Sequence, residues 1–209
     1  MKTSSLVALI CSLAINGINT FSQSAAAQPF APPVHIAEAL TSANSATSET
    51  DSFVVVQDGD KYGYDDAEGN EAIEARFDNA YEFFDGLAAV KVNEKWGFID
   101  GEGHLVIGMK FDAVSSFNSG LAAVEVDGKW GFVDRQGIAV IPHSFDEAET
   151  FSEGLAKVKV GDKWGFINKK GVMAIAPTFD EIDSFDNGVA WVRIGQKVGY
   201  VNETGKFVQ

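Results

Sequence analysis

Residues Lys95-Trp96-Gly97-Phe98 decide the fold, because the same four positions return as Lys129-Trp130-Gly131-Phe132 and again as Lys163-Trp164-Gly165-Phe166. With Gly63 before them and Gly199 after, the marking glycines recur every 34 residues with no insertion. A constant period of that length is the mark of a tandem array, here running over residues 53–209.

The same period also suits helical hairpins, so helix has to be weighed against strand. Each unit carries at least three glycines at fixed places, and each would cost about 1 kcal/mol inside a helix. Val90, Val92, Trp96 and Phe98 alternate with period two, as half-buried strands do. In the unit that begins at Leu121, strands at 122–126 and 129–134 flank Asp127-Gly128, a two-residue hairpin signal. Gly59-Asp60, Gly161-Asp162 and Gly195-Gln196 fill the same place with good turn chemistry, and Asn93-Glu94 is the poorest fit of the five. Asp66, Asp100, Asp134, Asn168 and Asn202 each stand three residues before a glycine, which predicts a type I turn with a glycine bulge and then a third strand, such as 138–141.

The expected fold is therefore all-β: five meanders of three strands, in units of about 53–86, 87–120, 121–154, 155–188 and 189–209. The connections repeat Phe77-Asp78, Phe111-Asp112, Phe145-Asp146 and Phe179-Asp180, followed by Phe83, Phe117, Phe151 and Phe185. Two buried phenylalanines per connection would join neighbours into a stack, since no three-stranded sheet of this size is stable alone. Every meander is complete within its own unit, which favours an open twisted array over a closed five-bladed propeller.

The motifs Lys-Trp-Gly-Phe-Ile/Val-Asp/Asn, Val-Ile-Pro or Ile-Ala-Pro, Phe-Asp and Phe-x-x-Gly-Leu-Ala, all in register, resemble the bacterial WG repeat family. The resemblance covers 53–209 and is carried by Trp96, Trp130 and Trp164; Tyr62 and Val198 replace the tryptophan in the end units, as capping repeats do. It implies β-rich tandem repeats, often on exported proteins, with no defined enzymatic activity and no cofactor.

The chain has 209 residues, 16 basic against 30 acidic side chains and a net charge of −14. Such a field repels phosphate, so nucleic acid is not an expected partner. At the N-terminus, Lys2, an apolar run at 6–15 and Ala25-Ala26-Ala27 read as a secretory signal over 1–27, cleaved near Ala27. That run is too short to cross a bilayer of about 30 Å, so no permanent membrane anchor is expected. Cys11, the single cysteine, would leave with the signal, and with it any disulfide or thiol chemistry. Residues 28–52, rich in Ala, Ser, Thr and Pro, read as a flexible arm.

Candidate sites are few. Trp96, Trp130 and Trp164 read as packing groups between units, with Gly97, Gly131 and Gly165 beside them; a sugar-stacking platform is the other use of such aromatics. Trp191 stands in register with Val55, Ala89, Ala123 and Lys157, and shares its strand face with Arg193, the counterpart of Gln57, Lys91, Glu125 and Lys159. That face reads as mostly polar and outward, so Trp191, Arg193, Lys157 and Lys159 form a candidate partner-binding set. Lys61, Lys95, Lys129, Lys163 and Lys197 read as a ladder pairing with repeat carboxylates. Asp58 to Tyr62 resembles a calcium loop only in part and is explained by the hairpin. His35, His104 and His143 share no metal-ligand spacing, and Glu147, Glu149 and Glu153 read as solvated surface rather than a glycosidase pair. No catalytic, cofactor or metal residue is assigned. The expected function is an exported, periplasmic or secreted, non-catalytic scaffold that binds a protein or cell-envelope component; the alternatives are a glycan or cell-wall module and, third, an envelope hydrolase.

Overall fold

The computed structural model describes residues 53–208; the signal at 1–27 and the arm at 28–52 lie outside the described residues. Alternating apolar residues and turn glycines give nineteen strands and no helix among the described residues. The first sheet contains β1 (Val54–Asp58), β2 (Lys61–Asp65) and β3 (Glu71–Phe77). The second contains β4 (Asn79–Phe84), β5 (Leu87–Val92), β6 (Lys95–Ile99) and β7 (Leu105–Phe111). The third contains β8 (Ala113–Val114), β9 (Ala122–Val126), β10 (Lys129–Val133) and β11 (Ala139–Phe145). The fourth contains β12 (Glu147–Ser152), β13 (Leu155–Val160), β14 (Lys163–Asn168) and β15 (Met173–Phe179). The fifth contains β16 (Glu181–Ile182), β17 (Val189–Ile194), β18 (Lys197–Asn202) and β19 (Phe207–Val208).

All pairings are antiparallel between strands adjacent in sequence, and no sheet closes into a barrel. The three-stranded meanders expected from the sequence are all present. The difference lies in the connections, where β4, β8, β12 and β16 form the first strand of the following sheet rather than a plain link. Each sheet after the first therefore has four strands.

The turns follow the sequence closely. Gly103 donates its N–H to the Asp100 carbonyl at 3.0 Å, and Asp100 Oδ1 accepts the N–H groups of Glu102 and His104. The same pattern recurs at Asp66, Asp134, Asn168 and Asn202. At Gly103 φ is +77°, and a β-carbon there would also stand 3.2 Å from Ile73 of the preceding sheet. Glycine is thus required both by conformation and by the approach of one sheet to the next.

Four buried clusters hold the array together, and each joins one sheet to its successor. Sheet two shows how the strand period achieves this. Ala88, Val90 and Ile99 point toward sheet one, while Ala89, Trp96 and Phe98 point toward sheet three. Both faces are therefore apolar, and only a stack can bury them. At each junction the second connection phenylalanine meets the aromatic ring of the preceding sheet. Phe83 packs on Tyr64, Phe117 on Phe98, Phe151 on Phe132 and Phe185 on Phe166, with ring centroids 4.7 to 4.9 Å apart. Tyr64 is fully buried and donates its hydroxyl to the Tyr81 carbonyl at 2.8 Å, and burial raises its pKa.

Candidate functional site

The recurring lysines form clamps between successive hairpins. Lys61 pairs with Asp78 at 2.6 Å, Lys95 with Asp112 at 2.5 Å and Lys129 with Asp146 at 2.6 Å; Lys163 pairs with Asp180. The second oxygen of each aspartate accepts the backbone N–H of the next hairpin turn, at Asn93, Asp127, Gly161 and Gly195. One carboxylate thus ties the second strand of one sheet to the turn of the next. Hydrogen bonding to lysine and then to the backbone lowers the pKa of all four aspartates. Lys197 makes no such bond among the described residues.

The tryptophans differ from one another. Trp96 is buried, with the Tyr81 ring tilted against it at 4.7 Å between ring centroids; Trp130 and Trp164 are partly buried against the core clusters. Trp164 is further covered by Lys157 and Lys159, whose ammonium groups lie 5.7 and 5.5 Å from its ring centroid. These lysines also pair with Glu149 and Glu147, at 2.9 and 2.5 Å. Glu153, the third carboxylate of that group, caps the turn of sheet five by accepting the N–H groups of Asn187 and Gly188.

The face assigned to Trp191 needs correcting. Its counterparts Ala89 and Ala123 are fully buried against the following sheet, so in sheets two and three this position packs rather than pointing outward. The neighbouring register of the same face, at Gln57, Lys91, Glu125, Lys159 and Arg193, is partly or fully exposed in every sheet. Lys157 and Lys159 share the side of Phe166 and Trp164, which faces sheet five. Trp191 and Arg193 lie one sheet further on, so the four residues do not form a single patch. Arg193 is held by Glu181 through two hydrogen bonds, of 2.5 and 3.0 Å, and that pairing lowers the Glu181 pKa.

The sequence reading missed two features. Asp100, Glu102 and His104 lie on one exposed turn with ligand atoms within 4.8 Å of one another, a donor set suited to a divalent cation; alternating Asp, Glu and His at 100, 102 and 104 was the available signal. Val198 and Tyr200, 60% and 52% exposed, also stand beside Trp191 on the last sheet. Their counterparts Trp96 and Phe98 are buried.

The repeat seen in the structure matches a known family. The model described as WG containing repeat fits residues 62–96, 96–130, 130–164 and 164–197. The chain belongs to the WG containing repeat family. Each matched WG repeat runs from the second strand of one sheet to the second strand of the next, so it spans one inter-sheet junction. No curated protein matches the sequence. Among solved structures, the WG repeats are similar to a crystal structure of a eukaryotic initiation factor, at 16% identity and a TM-score of 0.52. That match covers 73% of this chain and 50% of the other, so the chain spans about half the length of that relative, and the likeness concerns fold alone. A protein of unknown function from Bacteroides caccae matches at 12% identity and TM-score 0.36, covering 76% of this chain and 77% of the other.

Proposed function

We propose that this WG repeat protein is an exported, non-catalytic scaffold that binds a protein or cell-envelope component along its outer surface. The observation that carries the reading is a row of exposed aliphatic side chains on the outer edge strands of three successive sheets. Leu105 and Val106 stand on β7, Ile138 and Val140 at β11, and Val172 and Met173 at β15. None of these is needed to join the sheets, and Val106 with Val140, and Ile138 with Val172, recur at 34-residue spacing as parts of a repeated contact surface. Edge strands also offer unpaired backbone groups to a partner.

A sugar-stacking surface has less support, because Trp96 is buried, Trp130 is partly buried against the core and Trp164 lies under the ammonium groups of Lys157 and Lys159. Glu149, Glu147 and Glu153 are engaged with Lys157, Lys159 and the turn at Asn187, respectively.

The test is co-sedimentation of the full chain with isolated cell wall and, separately, with envelope membranes. Retention by the membrane fraction, lost in an Ile138→Asp, Val172→Asp double variant of unchanged circular dichroism, is expected. Retention by purified wall alone would replace this reading with the glycan one. The N-terminal sequence of protein recovered from outside the cytoplasm should begin near Gln28; recovery of unprocessed protein from the cytoplasm alone would remove the export component.

A further inference from the structure

We infer that Trp130 and Glu125 of the third sheet form a binding site for a lysine or arginine side chain of a partner protein, which rests on the protein-binding reading above and names the chemistry of one contact. The fourth sheet shows what the position accepts. There Lys159 stands directly opposite Trp164 across the β13–β14 ladder, so the two side chains share one side of the sheet. The ammonium groups of Lys159 and Lys157 lie 5.5 and 5.7 Å from the Trp164 ring centroid, and Glu147 and Glu149 on β12 hold them in place. A cation over an indole, fixed by a carboxylate, is thus an arrangement that this repeat already builds.

The third sheet keeps the indole and the carboxylate and lacks the cation. Glu125 stands opposite Trp130 where Lys159 stands opposite Trp164. Ala113, Ser115 and Ala123 take the positions of Glu147, Glu149 and Lys157, and none of them is long enough to cover the ring. Trp130 is only partly buried, and among the described residues neither a second aromatic ring nor an ammonium group lies over it, unlike Trp96 under Tyr81. The Glu125 carboxylate, itself partly exposed, has no hydrogen-bond or ion-pair partner among the described residues. The same cross-strand position carries Lys91 in sheet two, Lys159 in sheet four and Arg193 in sheet five, so from sheet two to sheet five only the third presents a carboxylate there. An indole face beside an unpaired carboxylate attracts a cation through its quadrupole and through charge, and ammonium and guanidinium groups are the cations that a protein supplies. The net charge of −14 favours the approach of a basic segment.

Titration of the full chain with hexalysine at about 0.15 M salt, where long-range attraction is screened, followed through the indole N–H signals by NMR, tests the site. The Trp130 signal is expected to move saturably, and the Trp164 signal, whose ring already carries two ammonium groups, to stay in place. Glu125→Gln should weaken the binding about fivefold. Glu125→Lys, which copies the arrangement of the fourth sheet, should abolish the Trp130 response with an unchanged circular dichroism spectrum. Equal movement of all indole signals, or binding indifferent to both variants, would mean attraction to the general negative field only and would overturn the inference. The Ile138→Asp, Val172→Asp double variant should still show the Trp130 response, which separates this site from the aliphatic row. Hexalysine bound at Trp130 in a chain that no envelope fraction retains would leave the site standing and sink the scaffold reading; retention without any Trp130 response would do the reverse.

Discussion

A β-carbon placed on Gly97 would lie 2.5 Å from the carbonyl oxygen of Ile107, closer than any real contact of that kind. The cause is a bulge. Trp96 faces Phe111 and Phe98 faces Ile107, so two residues of β6 span four of β7, and the extra backbone presses onto the glycine. Gly63, Gly131 and Gly165 meet Ile73, Ile141 and Ile175 in the same way, at 2.5 to 2.6 Å. The signature glycine of the repeat is thus a space requirement, not a turn.

Replacing Gly131 by alanine should destabilise the protein by about 3 kcal/mol, because the obstacle is backbone that cannot move aside. Gly199 is a control within the same repeat position, since a β-carbon there meets only the ring of exposed Phe207, at 3.0 and 3.1 Å. Gly199→Ala should cost about 1 kcal/mol or less, in urea unfolding monitored by circular dichroism.

The hairpin at Asn93-Glu94 holds both residues at positive φ, +49° and +68°. Glycine accepts that conformation and glutamate does not, at a difference of about 1 kcal/mol. Glu94→Gly should therefore raise stability by about 1 kcal/mol, seen as a higher urea midpoint at unchanged slope.

The four clamping aspartates have folded pKa values below the ordinary range, held there chiefly by lysine hydrogen bonds. Their contribution is complete above the unfolded value, about pH 4, and is lost as pH falls through the lowered folded values. Melting temperature should decline from about pH 4 downward, and less steeply in Asp112→Asn. Equal slopes in the two proteins would show that the clamp is energetically silent, as many exposed pairs are.

Phe132 is fully buried between sheets three and four and packs on Phe151 with ring centroids 4.9 Å apart. Phe132→Ala should cost about 3–5 kcal/mol. Hydrogen exchange should accelerate on both sides of that junction, in β10 and β12, because neither sheet buries its face alone. Faster exchange in β10 only would mean that the sheets fold independently.

Much of this architecture was legible in the chain itself. Period-two alternation identified the strands, paired turn residues identified the hairpins, and the Asp or Asn placed three before glycine identified the bulged turns, all because these signals act within a few residues. The first strand of each sheet after the first was not legible. Ala80 and Phe83 both face inward across a register break between β4 and β5, so Asn79–Phe84 shows no simple alternation. In β8 and β16 only two residues pair.

The sequence by itself determined the repeat, its period, its turns and the two phenylalanines that join each pair of units, since those depend on local geometry and on composition. Tertiary structure alone decided which faces are covered. Ala89 and Trp191 occupy equivalent positions on equivalent strands, and one is buried while the other lies on an end face, because a third sheet follows the second and no sheet follows the fifth among the described residues. Burial in a stacked array is set by the neighbour, and the neighbour is a property of place in the stack rather than of the residue.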